Sequence, residues 1–144
     1  MVTGNLTKLK KIVIKTNGPG LYEFTADLKT WVDGDGILHL FVKHTSASLL
    51  VQENFDPEVK IDLNNFFQRL VPLSSDPSMS YLTHRYEGED DMPAHIKASL
   101  GQVSLAIPVM KGELALGSWQ GIYLFEHRKA PKIREVVAKL QSDI

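Results

Sequence analysis

The chain contains no cysteine. That excludes a disulfide framework and any thiolate metal site and, with no secretory pattern at its start, points to a reducing, cytoplasmic setting. Long hydrophobic runs are missing too. The run from Ile37 to Val42 is interrupted by His39 and falls well short of the ~20 apolar residues a membrane-spanning helix needs, so no membrane partner is expected. Neither sign of charge dominates: 16 Lys and Arg stand against 17 Asp and Glu, a formal net charge of −1. Binding to nucleic acid by counterion release, which needs a basic excess, is therefore not expected. There is no GxGxxG, P-loop or GxSxG motif, which leaves dinucleotide binding, P-loop nucleotide hydrolysis and an α/β-hydrolase elbow without support. Internal repeats and low-complexity segments are absent as well.

What remains is an ordinary globular composition, 43% hydrophobic and 23% charged over 144 residues. It is enough to bury a core and predicts one domain over residues 1–144. Lys10 to Thr16 suits a strand, ended by the turn Asn17-Gly18-Pro19-Gly20. Thr25 is expected to cap a short helix running to Trp31, which Asp33-Gly34-Asp35-Gly36 stops. Ile37 to Val51 is rich in β-branched and aliphatic residues around a polar break, His44-Thr45-Ser46. Asp56 as N-cap and Pro57 in the first turn start the clearest helix. Its Val59, Leu63, Phe66, Phe67 and Leu70 recur at helical spacing and read as core. A long loop from Pro72 to Asp91 follows; unstructured connections beyond ~12–15 residues are often functional. A second helix begins at Asp91 or Met92, with Pro93 in its first turn and Gly101 as its stop. Val103 to Met110 and Glu113 to Leu116 flank Lys111-Gly112 as a hairpin, and a strand resumes at Ile122. The tail fits either periodicity, with helix slightly favoured by Ile133, Val136, Val137 and Leu140.

Of five histidines, His39 and His127 are read as structural. His44, His84 and His95 each sit at a break in the pattern, where polar side chains can converge, and the acidic residues Glu87, Asp90 and Asp91 lie near two of them. Neutral imidazoles with carboxylates suit a divalent metal held by nitrogen and oxygen. No HExxH spacing is present. Hydroxyls at Thr45 and Ser46 suit phosphate binding, although in strands they more often bond to neighbouring backbone.

The blocks His44-Thr45-Ser46-Ala47-Ser48, Glu53-Asn54, Asp56-Pro57, Asp90-Asp91-Met92-Pro93-Ala94-His95, Trp119-Gln120-Gly121-Ile122-Tyr123 and Glu126-His127-Arg128 resemble the YjbQ-like, or UPF0047, family. Some members are described as secondary thiamine-phosphate synthases. The resemblance implies an α+β fold, an antiparallel β-rich, sandwich-like single domain with two or three short helices, and a tail that is a strand. It also implies a homotrimer with the histidine site near a subunit boundary. The activity it implies joins a pyrimidine diphosphate to a thiazole phosphate with loss of pyrophosphate, so the expected partner is a small phosphorylated metabolite. The alternative is a binding protein for a metal or metabolite, without turnover. On the enzyme reading His44, His95 and Arg128 are the catalytic candidates. Thr45, Ser46, Asn54 and Gln120 would bind substrate. A divalent ion (zinc, magnesium, manganese or nickel) would be held by His44, His84 and His95. Arg128 is favoured over Lys97 as the cation facing pyrophosphate, Lys97 being read as an exposed helix residue.

Overall fold

The computed structural model describes residues 7–143. Eight strands, β1 (Lys8–Asn17), β2 (Gly20–Glu23), β3 (Gly36–Val42), β4 (Ala47–Glu53), β5 (Ser104–Met110), β6 (Glu113–Leu114), β7 (Gln120–Glu126) and β8 (Pro131–Ser142), accompany three helices, α1 (Thr25–Lys29), α2 (Pro57–Leu70) and α3 (Asp91–Leu100). All strand pairs are antiparallel. One sheet runs β1-β8-β3-β5-β6 and the other β2-β7-β4. The tail is therefore a strand. Paired on both sides by β1 and β3, it lies at a place where ladder hydrogen bonds outweigh the weak helical periodicity of the segment.

The core lies between the sheets. In the five-stranded sheet Leu38, Leu40 and Val42 point inward and pair with Leu140, Ala138 and Val136, all buried, while Ile37 and Phe41 on the other face are exposed. Strand β7 is buried on both faces, as its unbroken apolar run Ile122 to Phe125 requires. Ile122 and Leu124 join the inter-sheet core, and Phe125 on the opposite face meets Phe67 of α2 edge-on at 5.0 Å. Glycine is obligatory at position 36, where a Cβ would lie 2.1 Å from the Gln141 carbonyl oxygen.

Helix α2 starts as expected, with Asp56 Oδ1 accepting from the Glu58 N–H at 2.9 Å. Its apolar stripe is not core. No α2 residue is buried, and Phe66 and Leu70 are exposed, because a three-stranded sheet covers only part of the stripe. Thr25 is the first residue of α1 and not its cap; its Oγ1 donates to Glu23 Oε2 and accepts from the Ile122 N–H. The hairpin turn has left-handed backbone at both Lys111 (φ 52°) and Gly112 (φ 79°), the geometry that matches strand twist in a two-residue loop. Among the described residues no helix is long and apolar enough to cross a membrane.

One buried ion pair joins the two sheets. Glu126, at the end of β7, accepts from both Arg134 of β8 and Thr16 of β1, the latter at 2.6 Å. Arg134 Nη2 also donates to Ser46 Oγ at 2.9 Å. Burial pushes Glu126 up, but the bonds from Arg134, Thr16 and the Arg128 N–H outweigh it and hold the carboxyl below its ordinary range. Removing one partner of such a pair leaves an uncompensated buried charge. Arg134→Met is expected to cost about 3–5 kcal/mol in urea unfolding, because it leaves the Glu126 carboxylate buried without its countercharge, and Arg134→Lys, which keeps a cation, is expected to cost less. Equal losses in the two variants would show that the uncompensated charge is not what destabilises the protein.

Candidate metal centre

The turn after β7 and the start of α3 build the site together. Glu126 Oε2 accepts the backbone N–H groups of His127 and Arg128, each at 3.0 Å, so the chain leaves β7 in a fixed direction. Arg128 then reaches the acidic segment that opens α3. Its Nε donates to Asp90 Oδ2 at 3.0 Å, its Nη1 to Asp91 Oδ1 at 2.7 Å and its Nη2 to the Glu87 carbonyl at 2.8 Å. The Lys129 N–H adds a second donor to Asp90. In the long loop Arg85 donates to the carbonyls of Ser74, Met79, Ser80 and Leu82, which organises the segment that delivers His84.

Asp91 is the centre of the arrangement and is 1% exposed. With Oδ1 committed to Arg128, its Oδ2 accepts from His84 Nε2 at 2.7 Å and lies 3.3 Å from His95 Nε2. One ligand atom from each of His84, Asp91 and His95 falls within 4.8 Å of the others, and the two rings are tilted at 59° with centroids 5.5 Å apart. Burial raises Asp91, yet the His84 hydrogen bond and the charges of His95 and Arg128 prevail and keep it ionised below its ordinary range.

The second nitrogen of His95 fixes its chemistry. His95 Nδ1 lies 2.9 Å from the Thr45 carbonyl oxygen, which can only accept, so the Nδ1 proton is assigned by its partner. When the ring is neutral, the lone pair of Nε2 faces a carboxylate oxygen. Two acceptors face one another, and a cation between them, a proton or a metal ion, makes the contact favourable. A backbone carbonyl holding the remote N–H of a ligating imidazole is the usual outer support of a metal site. The residues present fit a divalent ion.

Not all sequence candidates meet here. His44 lies outside the cluster. Its Nε2 accepts the Glu135 N–H at 2.9 Å, turning the ring toward β8, and burial, then Arg134, lower its pKa. Expecting all three histidines in one coordination shell was wrong, because the backbone at the break sends the His44 ring toward one sheet and the Thr45 carbonyl toward α3. Ser46 is buried against Arg134, and Thr45 contributes its carbonyl while its residue is exposed. Asn54 and Gln120 are at the far end of the small sheet. The β4–β7 register pairs Ala47 with Glu126 at the histidine end and Glu53 with Gln120 at the other, and seven residues of strand span roughly 20 Å. Arg128 is engaged by Asp90, Asp91 and Glu87, and so clamps the acidic turn instead of offering a free cation. Lys97 is not exposed either. At 2% exposure its Nζ donates to Gln68 Oε1 at 2.9 Å, and burial lowers its pKa.

The model of the UPF0047 protein YjbQ-like family matches residues 10–143. The chain belongs to this family. A UPF0047 protein of Synechocystis is 43% identical over 137 residues, 92% of this chain and 90% of the relative. The UPF0047 protein YjbQ of Escherichia coli O157:H7 is 48% identical over 108 residues, 75% of each. Among solved structures, a conserved hypothetical protein of Thermus thermophilus superposes with a TM-score of 0.80 at 33% identity, covering 91% of this chain and 98% of that one. The fold expected from the resemblance, an antiparallel β-rich, sandwich-like domain with two or three short helices, is found here as two antiparallel sheets with three short helices, and solved YjbQ-like structures share it.

His39, read as structural, sits on the exposed face of β3 beside Gln141. His127 is also structural, but it is buried, with Nε2 at 3.0 Å from Ser48 Oγ and its ring against Phe125 and Phe67. Burial, then the charge of Lys97, brings its pKa down to about 3. The folded ring thus stays neutral while the unfolded one takes a proton below about pH 6.5, so its stabilisation is complete above that pH and is lost as pH falls toward 3. The slope is about 1.4 kcal/mol per pH unit. His127→Gln should flatten the fall in urea-unfolding stability between pH 6 and 4 by about that amount, and an unchanged slope would contradict a neutral buried ring.

Proposed function

We propose that the protein is a metal-assisted enzyme acting on a small phosphorylated substrate, with His84, Asp91 and His95 as the ligands. The observation that supports this most is the 3.3 Å approach of His95 Nε2 to Asp91 Oδ2 while Nδ1 is held by the Thr45 carbonyl. A bound zinc, magnesium, manganese or nickel ion would supply Lewis-acid stabilisation of negative charge on phosphate oxygens. Around it, Arg128 keeps Asp91 ionised and aimed, and the Thr45 carbonyl holds Nδ1 of His95 so that Nε2 faces the carboxylate. Three protein ligands leave positions for water or substrate, as in catalytic sites. Joining a pyrimidine diphosphate to a thiazole phosphate with release of pyrophosphate belongs to this class and is proposed as a possible, secondary activity.

A second reading, binding of a metal or metabolite without turnover, is favoured by the commitment of Arg128 to Asp90, Asp91 and Glu87. Pyrophosphate release by untagged protein, with and without metal, separates the two. On the enzyme reading release stops on chelation and in His95→Ala; metal bound with no release assigns the protein to binding alone. The family resemblance adds a homotrimer, which the exposed Phe66, Leu70 and Leu100 would suit as contact surface.

Elemental analysis and equilibrium dialysis are expected to show a bound divalent ion, lost in His84→Ala and His95→Ala and kept in His44→Ala. Arg128→Gln should weaken its affinity about 10–100-fold, as loss of an outer support does. Failure to bind zinc, manganese or nickel in dialysis would rule out the metal site.

A further inference from the structure

His44, Thr45 and Ser46 lie between β3 of the large sheet and β4 of the small one, and each is tied by a different contact. Just before them the Lys43 N–H donates to the Glu135 carbonyl at 3.1 Å. In a continuing antiparallel ladder the Glu135 N–H would return to the Lys43 carbonyl; it donates to His44 Nε2 at 2.9 Å instead. One residue on, the Thr45 carbonyl accepts from His95 Nδ1 at 2.9 Å. Ser46 Oγ then accepts from Arg134 Nη2 at 2.9 Å. The carbonyl that holds His95 is thus fixed between an imidazole anchored to the β8 backbone and a hydroxyl anchored to a β8 side chain.

The two anchors differ in what they tolerate. A guanidinium does not lose its proton in proteins, so the Ser46 anchor is independent of pH. The His44 anchor is not. A ring nitrogen that accepts an N–H needs its lone pair, so this imidazole is neutral with its proton on Nδ1; an imidazolium donates from both nitrogens and would set N–H against N–H. The charged groups that face the ring are Arg134 and Glu135 of β8, Glu126 of β7 and the neighbouring Lys43. The Glu135 carboxylate is itself paired with Lys11 of β1 at 3.3 Å and with Lys43 at 3.5 Å. Burial, then Arg134, outweigh the two carboxylates and keep the ring neutral to a lower pH than an ordinary histidine. The anchor therefore holds at neutral pH and is lost in acid.

We propose that His44 is a positioning residue that ties metal binding at His84, Asp91 and His95 to pH: its neutral ring anchors the Thr45 carbonyl against His95, and protonation releases that anchor. The inference rests on the metal reading of the site. To the ordinary competition of protons for the ligands it adds one proton taken up by a residue that is not a ligand. Zinc is the probe, its affinity for the full chain followed by equilibrium dialysis from about pH 8 down to about pH 5, across the histidine range. His44→Gln, whose amide oxygen accepts the Glu135 N–H without titrating, should match the wild type at the upper end and lose less affinity in acid. His44→Leu, equally uncharged but without an acceptor, should still bind zinc, about tenfold more weakly than His44→Gln, as loss of an outer support does. Because neither replacement carries charge, that difference reports the anchor and not electrostatics. In the wild type, where no substitution can disturb folding, NMR should show zinc lowering the midpoint of the His44 titration, since linkage is reciprocal. Equal zinc affinity in the Gln and Leu variants, or a His44 midpoint that zinc does not move, would overturn this inference and leave the metal site standing. No zinc bound by the wild type would remove the metal site, and this inference with it.

Discussion

A single buried carboxylate, Glu126, organises this molecule. It sits at the end of the central strand of the small sheet and collects donors from β1, from β8 and from the two backbone N–H groups that follow it. Hydrophobic contact between sheets is non-directional and would tolerate sliding, whereas an ion pair with several fixed bonds has one satisfying geometry. Charge taken out of water is costly, and Arg134, Thr16 and the backbone offset that cost only in this register.

The same carboxylate determines where the polar site forms. Since Glu126 holds the N–H groups of His127 and Arg128, the turn out of β7 has little freedom, and Arg128 meets Asp90, Asp91 and the Glu87 carbonyl at once. That clamp occupies one oxygen of Asp91 and leaves the other for His84 and His95. Contacts thus run from the inter-sheet ion pair to the histidine cluster through consecutive residues of one strand end, so the site inherits the rigidity of the core beneath it.

Local signals were legible where local chemistry decides. Asp56-Pro57 as a helix start, Lys111-Gly112 as a hairpin turn and the break at His44-Thr45-Ser46 follow from backbone preferences that neighbours do not overrule. Reading burial was harder. The α2 stripe has core spacing but part of it finds no partner, and Lys97 looks like a surface lysine until Gln68 of α2 is set beside it. Glu126 and Arg134 carried no signal as a pair, since residues on two strands of different sheets meet only after the sheets stack.

The sequence by itself determined most element types, though not that of the tail, and also the cysteine-free polar chemistry available and the family, because these depend on composition, spacing and ordered motif blocks. Tertiary structure alone decided which histidines share a site. His44 and His95 sit at equally suggestive breaks, but the path of the backbone through Thr45 gives one ring to the Glu135 N–H and the other to Asp91. It likewise set Asn54 and Gln120 at one end of a strand pair and the histidines at the other. Strand register, which long-range pairing fixes, converts neighbours in a motif list into opposite ends of a sheet.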